Sequence, residues 1–194
     1  MRIAPIILCA LMMLSAPASA QKPSSRPRQP SSEAGQTQES SLRGPLPIGG
    51  AVAIGDRAPD FLLESATGKD VRLSKLRGDW VLLVFADRGQ DVADLHSVES
   101  ELKVMGARIV AVCREKAGRL KAIAHRDTLG FTLLADFTGE ISALYGLYDR
   151  TMAAVQPGFI VIDRRGVVRV AVLGQQLTAK QIAAITHVAI TGME

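Results

Sequence analysis

VLLVFADRGQDVADL, residues 81–95, decides the fold. With Trp80 in front, its first part is an unbroken apolar run, the mark of a strand covered on both faces in a mostly parallel sheet. A tight polar loop follows, Ala86-Asp87-Arg88-Gly89-Gln90. Beyond it Val92, Leu95, Val98, Leu102 and Met105 recur every three or four residues, which predicts an amphipathic helix. A second continuous apolar run occupies 107–113, so the segment reads strand, helix, strand, with the right-handed crossover that parallel neighbours require.

Downstream, a helix is expected over 116–128, with Leu120 and Ile123 inward and Gly130 as its stop. A strand follows at 131–134, then a short helix at 140–145 ended by Gly146, then a strand at 159–162. Asp163-Arg164-Arg165-Gly166 turns the chain into 167–173, a hairpin. Thr178 and Gln181 fit a capping box opening the last helix, whose inward face is expected to carry Ile182, Ile185 and Val188. The fold class is therefore α/β: a central mixed sheet, built from a parallel βαβ unit plus an antiparallel hairpin, flanked by helices. No internal repeat is present.

Working toward the N-terminus, the composition changes sharply. Arg2, the apolar run 3–14 and the small-residue ending Ala16-Pro17-Ala18-Ser19-Ala20 form a secretory signal over 1–20, with cleavage expected after Ala20. The run is shorter than the roughly 20 apolar residues a bilayer span needs, so no membrane span is expected after signal removal. An uncleaved anchor is the alternative. Residues 21–50, rich in Pro, Ser, Gly and Gln, read as a disordered linker, which leaves 51–194 as the folded domain. The protein is expected to be exported, periplasmic or secreted.

Of the net charge of +4 over 194 residues, the linker supplies +2 and the domain only +1. A nearly neutral domain lacks the footprint that phosphate binding requires, which excludes nucleic acid as a partner. The two cysteines are Cys9 and Cys113. Loss of the signal removes Cys9, so no internal disulfide can form. His96, His125 and His187 lie on three separate expected helices, and a metal site needs at least three convergent ligands. No metal and no cofactor is expected, and Tyr145 and Tyr148 are expected to pack a helix end.

The order of elements is that of a thioredoxin-like fold, and the local residues narrow it. GDRAPDF (55–61), GKDVRL (68–73), LRG (76–78), GARIVAV (106–112), LLAD (133–136), Tyr145-Gly146 and FIVIDRRG (159–166) occur in order. In these the chain resembles the peroxiredoxins of the alkyl hydroperoxide reductase and thiol-specific antioxidant family, over about 55–173. The resemblance implies thiol-dependent antioxidant oxidoreduction.

In that family the loop after the first central strand carries Pro-x-x-x-Thr-x-x-Cys, whose cysteine at the helix start attacks peroxide. Here that stretch is ADRGQD, without Pro, Thr or Cys, and an activating arginine of the family is replaced by Pro157. In thioredoxins and related redoxins a proline at this place is cis and faces the bend, which the resemblance implies for Gln156-Pro157. The bend itself reads as structural, with Asp91 as the expected N-cap of the following helix.

Cys113 is thus the candidate site residue. It ends the second central strand, where open sheets place ligand sites, and Arg114, Lys116 and Arg119 are expected to lower its pKa, offset in part by Glu115. The functional reading is a relocated reactive thiol, or one that links two chains. The other reading, that it completes an apolar strand, follows the usual behaviour of free cysteine. The function expected is an exported peroxiredoxin-like redoxin with its standard peroxidatic site lost, its partner a thiol reductant or an envelope protein. The alternative is a non-catalytic envelope binding or scaffold module, and the oligomeric state is open.

Overall fold

A computed structural model describes residues 52–192; the expected signal (1–20) and linker (21–50) lie outside the described residues. The strands are β1 (Leu62–Glu64), β2 (Asp70–Arg72), β3 (Trp80–Ala86), β4 (Ala107–Cys113), β5 (Thr132–Ala135), β6 (Tyr148–Asp149), β7 (Ala154–Val155), β8 (Gly158–Ile162) and β9 (Val168–Leu173). The α-helices are α1 (Glu99–Val104), α2 (Ala117–Arg126), α3 (Glu140–Leu144) and α4 (Ala179–Thr191).

The main sheet has the order β5-β4-β3-β8-β9. The strands β3, β4 and β5 are parallel, and β8 and β9 run antiparallel to their neighbours. This is the expected mixed sheet of a thioredoxin-like fold. All seven residues of β3 are buried because both faces are covered. With a period of two, Trp80, Leu82, Val84 and Ala86 join the cluster under α1 and α4, while Val81, Leu83 and Phe85 join the one under α3. Each fully buried Leu or Phe contributes about 1.5–3 kcal/mol of transfer free energy.

The expected helix over 92–105 is in fact two. Gly89–Val98 is a 3-10 helix and α1 begins only at Glu99. The cause is the spacing of the buried residues, Gly89, Val92, Leu95 and Val98, each three apart. A helix with three residues per turn keeps such a row on one face. The step from Val98 to the buried Leu102 is four, and there the chain becomes α-helical.

Two further expectations are corrected. The α2 helix ends before Thr128, which takes the left-handed conformation at φ 51°, and Gly130 is not its stop. Gly130 instead allows close approach, since its N–H donates to Glu99 Oε2 at 3.2 Å and a Cβ there would strike that carboxylate. On α4 the capping box of Thr178 and Gln181 is present, but Val188 is 68% exposed and Ile185 only half-buried. The inward face is Ala179, Ile182, Ala183, Thr186, Ala189 and Ile190. Thr186 can be buried because its hydroxyl donates to the Ile182 carbonyl at 2.8 Å.

Two short hairpins, β1–β2 and β6–β7, were not anticipated. Strands of two or three residues are too short to show a period. No helix among the described residues is long and apolar enough to cross a membrane.

Candidate functional site

The carboxyl ends of β3 and β4 lie side by side, Ala86 opposite Cys113. From Ala86 the chain bends through Asp87 and Arg88 into the 3-10 helix, so the bend does join a central strand to a packed helix. A helix start presents unpaired N–H groups and the positive end of the peptide dipoles, a natural seat for an anion. Here the anion is supplied by the chain. Glu115, two residues past β4, accepts the Gly89 N–H on Oε2 at 2.8 Å, while its other oxygen takes the Arg119 guanidinium.

Asp87 closes the bend on its other side. Its Oδ1 accepts from Arg114 Nε at 2.7 Å and from the Val155 N–H at 3.1 Å. The Arg114 hydrogen bond holds this carboxyl below its ordinary pKa; burial opposes, and the Val155 N–H and the nearby Arg charges add to the lowering. Asp91 does not cap the helix. The cap position is Arg88, without a side-chain cap bond, and Asp91 lies in the first turn paired to the Arg88 guanidinium at 3.1 and 3.2 Å.

Cys113 is free and fully buried, in the cluster beneath the bend. Burial pushes its thiol pKa well up, and the charges of Glu115, Asp91, Asp136 and Asp87 push it further. The expected lowering by Arg114, Lys116 and Arg119 is therefore reversed. Arg114 is spent on Asp87 and Arg119 on Glu115, and the Lys116 ammonium lies 4.9 Å from the centre of the Phe137 ring. Sequence distance put these cations beside the thiol, and their carboxylate and aromatic partners draw them away from it.

The bend borders a cleft of about 220 Å³. Asp87, Arg88 and Asp91 line one side and Pro157, Gln175 and Gln176 lie around the rest, so Pro157 does share a cleft with the bend. Tyr145 packs as expected: it is buried against Phe85 and Phe61, and its hydroxyl donates to the Pro59 carbonyl at 2.7 Å. His96 sits 3.5 Å from Glu99. Among the described residues no group of three or more His, Cys, Asp or Glu side chains is placed to hold a metal ion. Glu115 is the site residue that sequence reasoning undervalued, since a lone Glu after a strand gives no sign of reaching a helix start 26 residues earlier.

Residues 54–171 match the AhpC/TSA family. Among curated proteins, Peroxiredoxin Q, chloroplastic, of Triticum aestivum is 33% identical over 129 residues, 62% of this chain and 58% of that protein. Peroxiredoxin Bcp of Escherichia coli (strain K12) is 28% identical over 100 residues, 48% of this chain and 64% of that protein. The chain thus spans about three fifths of the length of these relatives. Among solved structures, Peroxidoxin BcpB from Mycobacterium tuberculosis superposes with a TM-score of 0.66 at 20% identity, covering 74% of this chain and 99% of that one. AhpC of Enterococcus faecalis gives 0.65 at 15% identity, covering 74% and 98%. At these identities the structural likeness carries the fold.

Proposed function

The chain belongs to the AhpC/TSA family of peroxiredoxin-like redoxins, and from that premise we propose that it is an exported member whose peroxidatic site has been lost. One observation carries the reading: at the helix start where the family's resemblance implies a thiolate, the Gly89 N–H is already bonded to the Glu115 carboxylate. An anion there is satisfied without sulfur, and no cysteine lies within 86–91. The remaining thiol of the described domain, Cys113, is sealed and held protonated. The domain then acts through its surface, as a binding module for an envelope protein, after removal of residues 1–20.

A second reading keeps Cys113 as an active thiol, supported by its place at the carboxyl end of β4. In that case hydrogen peroxide would convert the thiol to a sulfenic acid with release of water. The two separate in one experiment. The exported protein is titrated with hydrogen peroxide, and free thiol is counted in native buffer and in denaturant. The proposal expects native Cys113 to be lost no faster than an unperturbed small-molecule thiol. Rapid loss of one thiol per chain, with peroxide consumed in step, would sink it. Export is checked separately by the mass of the mature protein, expected to begin at Gln21.

A further inference from the structure

We propose that the β6–β7 hairpin is a hinged lid, latched over the bend and its apolar floor by the Asp87 carboxylate. The two strands pair only with each other and stand outside the five-stranded sheet. On the β6 side the hairpin is pinned: the Tyr148 ring lies so close to Gly139 that a Cβ there would come within 2.6 Å of it. On the β7 side the side-chain hydrogen bond that holds it is to a single acceptor, added to the packing of Val155. Asp87 Oδ1 takes the Val155 N–H at 3.1 Å and Arg114 Nε at 2.7 Å, so one oxygen ties the end of β3, the end of β4 and the hairpin together.

The hairpin has the parts a pivot needs. Gly146, at φ 78°, precedes it, and Leu147 O accepts from the Gln156 N–H at 2.7 Å, closing its base. Its turn is wound tightly: Asp149 Oδ1 accepts the N–H groups of Thr151 and Met152, and Ala153 is held at φ 47°, a strained conformation for a residue with a side chain. Met152 at the tip is 71% exposed, so water, not protein, meets the outer end.

From the lid itself Val155 packs into the same cluster as Phe85, Tyr145 and Leu147, and Phe85 is only 1% exposed. Val155, Phe85 and Pro157 also line the cleft at the bend. Lifting β7 off Asp87 therefore opens the cleft onto the Phe85 ring. The position of the hairpin sets how much of the apolar floor of the bend is exposed, whatever Cys113 does.

The test is hydrogen exchange on the full chain, comparing the unaltered protein with Asp87→Ala and Asp87→Asn. Loss of a hydrogen bond to a charged acceptor should raise the opening equilibrium roughly ten- to a hundredfold. The expected result is that acceleration at the amides of 150–156, with β8 amides unchanged. Asp87→Asn keeps an acceptor oxygen and loses the charge, so a smaller acceleration in the same segment is expected; it decides the matter alone should Asp87→Ala fail to fold. Unchanged exchange at 150–156, or equal acceleration there and in β8, would overturn the latch.

Discussion

Replacing Glu115 tests the electrostatics of the bend most directly. In Glu115→Ala the Gly89 N–H, bonded at 2.8 Å to a carboxylate whose side chain is only 10% exposed, is left without its acceptor. A hydrogen bond to a charged group contributes about 1.5–3 kcal/mol. The Arg119 partner is 67% exposed, so that ion pair adds at most about 0.5 kcal/mol. The expected loss is thus about 2–3 kcal/mol, read from the urea midpoint at unchanged m-value. Glu115→Gln keeps a neutral acceptor and should cost about 1 kcal/mol. A second readout comes from the thiol below. Burial is the largest cause of the raised Cys113 pKa and Glu115 the largest of the charges, so both variants should lower that pKa while leaving it above the ordinary value. Native-state alkylation of Cys113 should therefore rise with pH from a lower onset than in the unaltered protein. A Glu115→Ala variant destabilised by less than about 0.5 kcal/mol, with an unchanged alkylation profile, would refute the reading of Glu115 as the anion of the helix start.

Two glycine substitutions should move stability in opposite directions. At Gly158 an added Cβ would stand 2.7 Å from the Val172 carbonyl oxygen and 2.9 Å from Leu147, and backbone on β9 cannot step aside, so Gly158→Ala should cost about 3 kcal/mol. At Gly118 nothing lies within 4 Å, and in a helix Gly118→Ala should stabilise by up to about 1 kcal/mol; both are read by urea unfolding. Acid should weaken the fold through Asp60, Asp87 and Asp163, all held below the ordinary value of 3.8. For Asp163 burial raises the pKa, but the Val167 and Arg165 N–H groups and Arg169 outweigh it. Groups with lowered folded pKa contribute fully above the unfolded value and lose that contribution as pH falls through the folded one. Urea midpoints should hold from neutral pH down to about 4 and drop below it, with Asp163→Asn showing a shallower drop; equal slopes would count against the Asp163 assignment.

The strands of the main sheet were legible because β3 and β8, and β4 beyond its exposed Arg108, are buried on both faces, which leaves an apolar run no helix of that length would need. The capping box was legible for a local reason: Thr178 and Gln181 satisfy each other within one turn. Where the reading failed, the deciding contact was distant or the residue was of the wrong type. The inward face of α4 includes four small or polar residues, Ala179, Ala183, Thr186 and Ala189, so picking Ile and Val by hydropathy led to Val188. The 3-10 helix at 89–98 was visible as a strict spacing of three, once Gly89 is counted among the buried positions. A glycine carries no hydropathic sign of burial, and here it is buried because the place a Cβ would take is already filled by Leu120, Ile123 and Glu115.

The same limit governs the site. Counting charges along the chain near Cys113 gives three cations and one anion within six residues, and predicts an activated thiol. Folding brings Asp87, Asp91 and Asp136 from other elements to the same place, and the sign reverses. Each of these carboxylates also has its own employment: Asp87 on Arg114 and Val155, Asp91 on Arg88, Asp136 on the N–H groups of Ile141 and Ser142. A buried thiolate would have to form among four negative charges, three of them already paired with arginines and the fourth, Asp136, with N–H groups. In a low-dielectric interior that repulsion is weakly screened, so the carboxylates that hold the shape of the bend also disfavour a thiolate at Cys113.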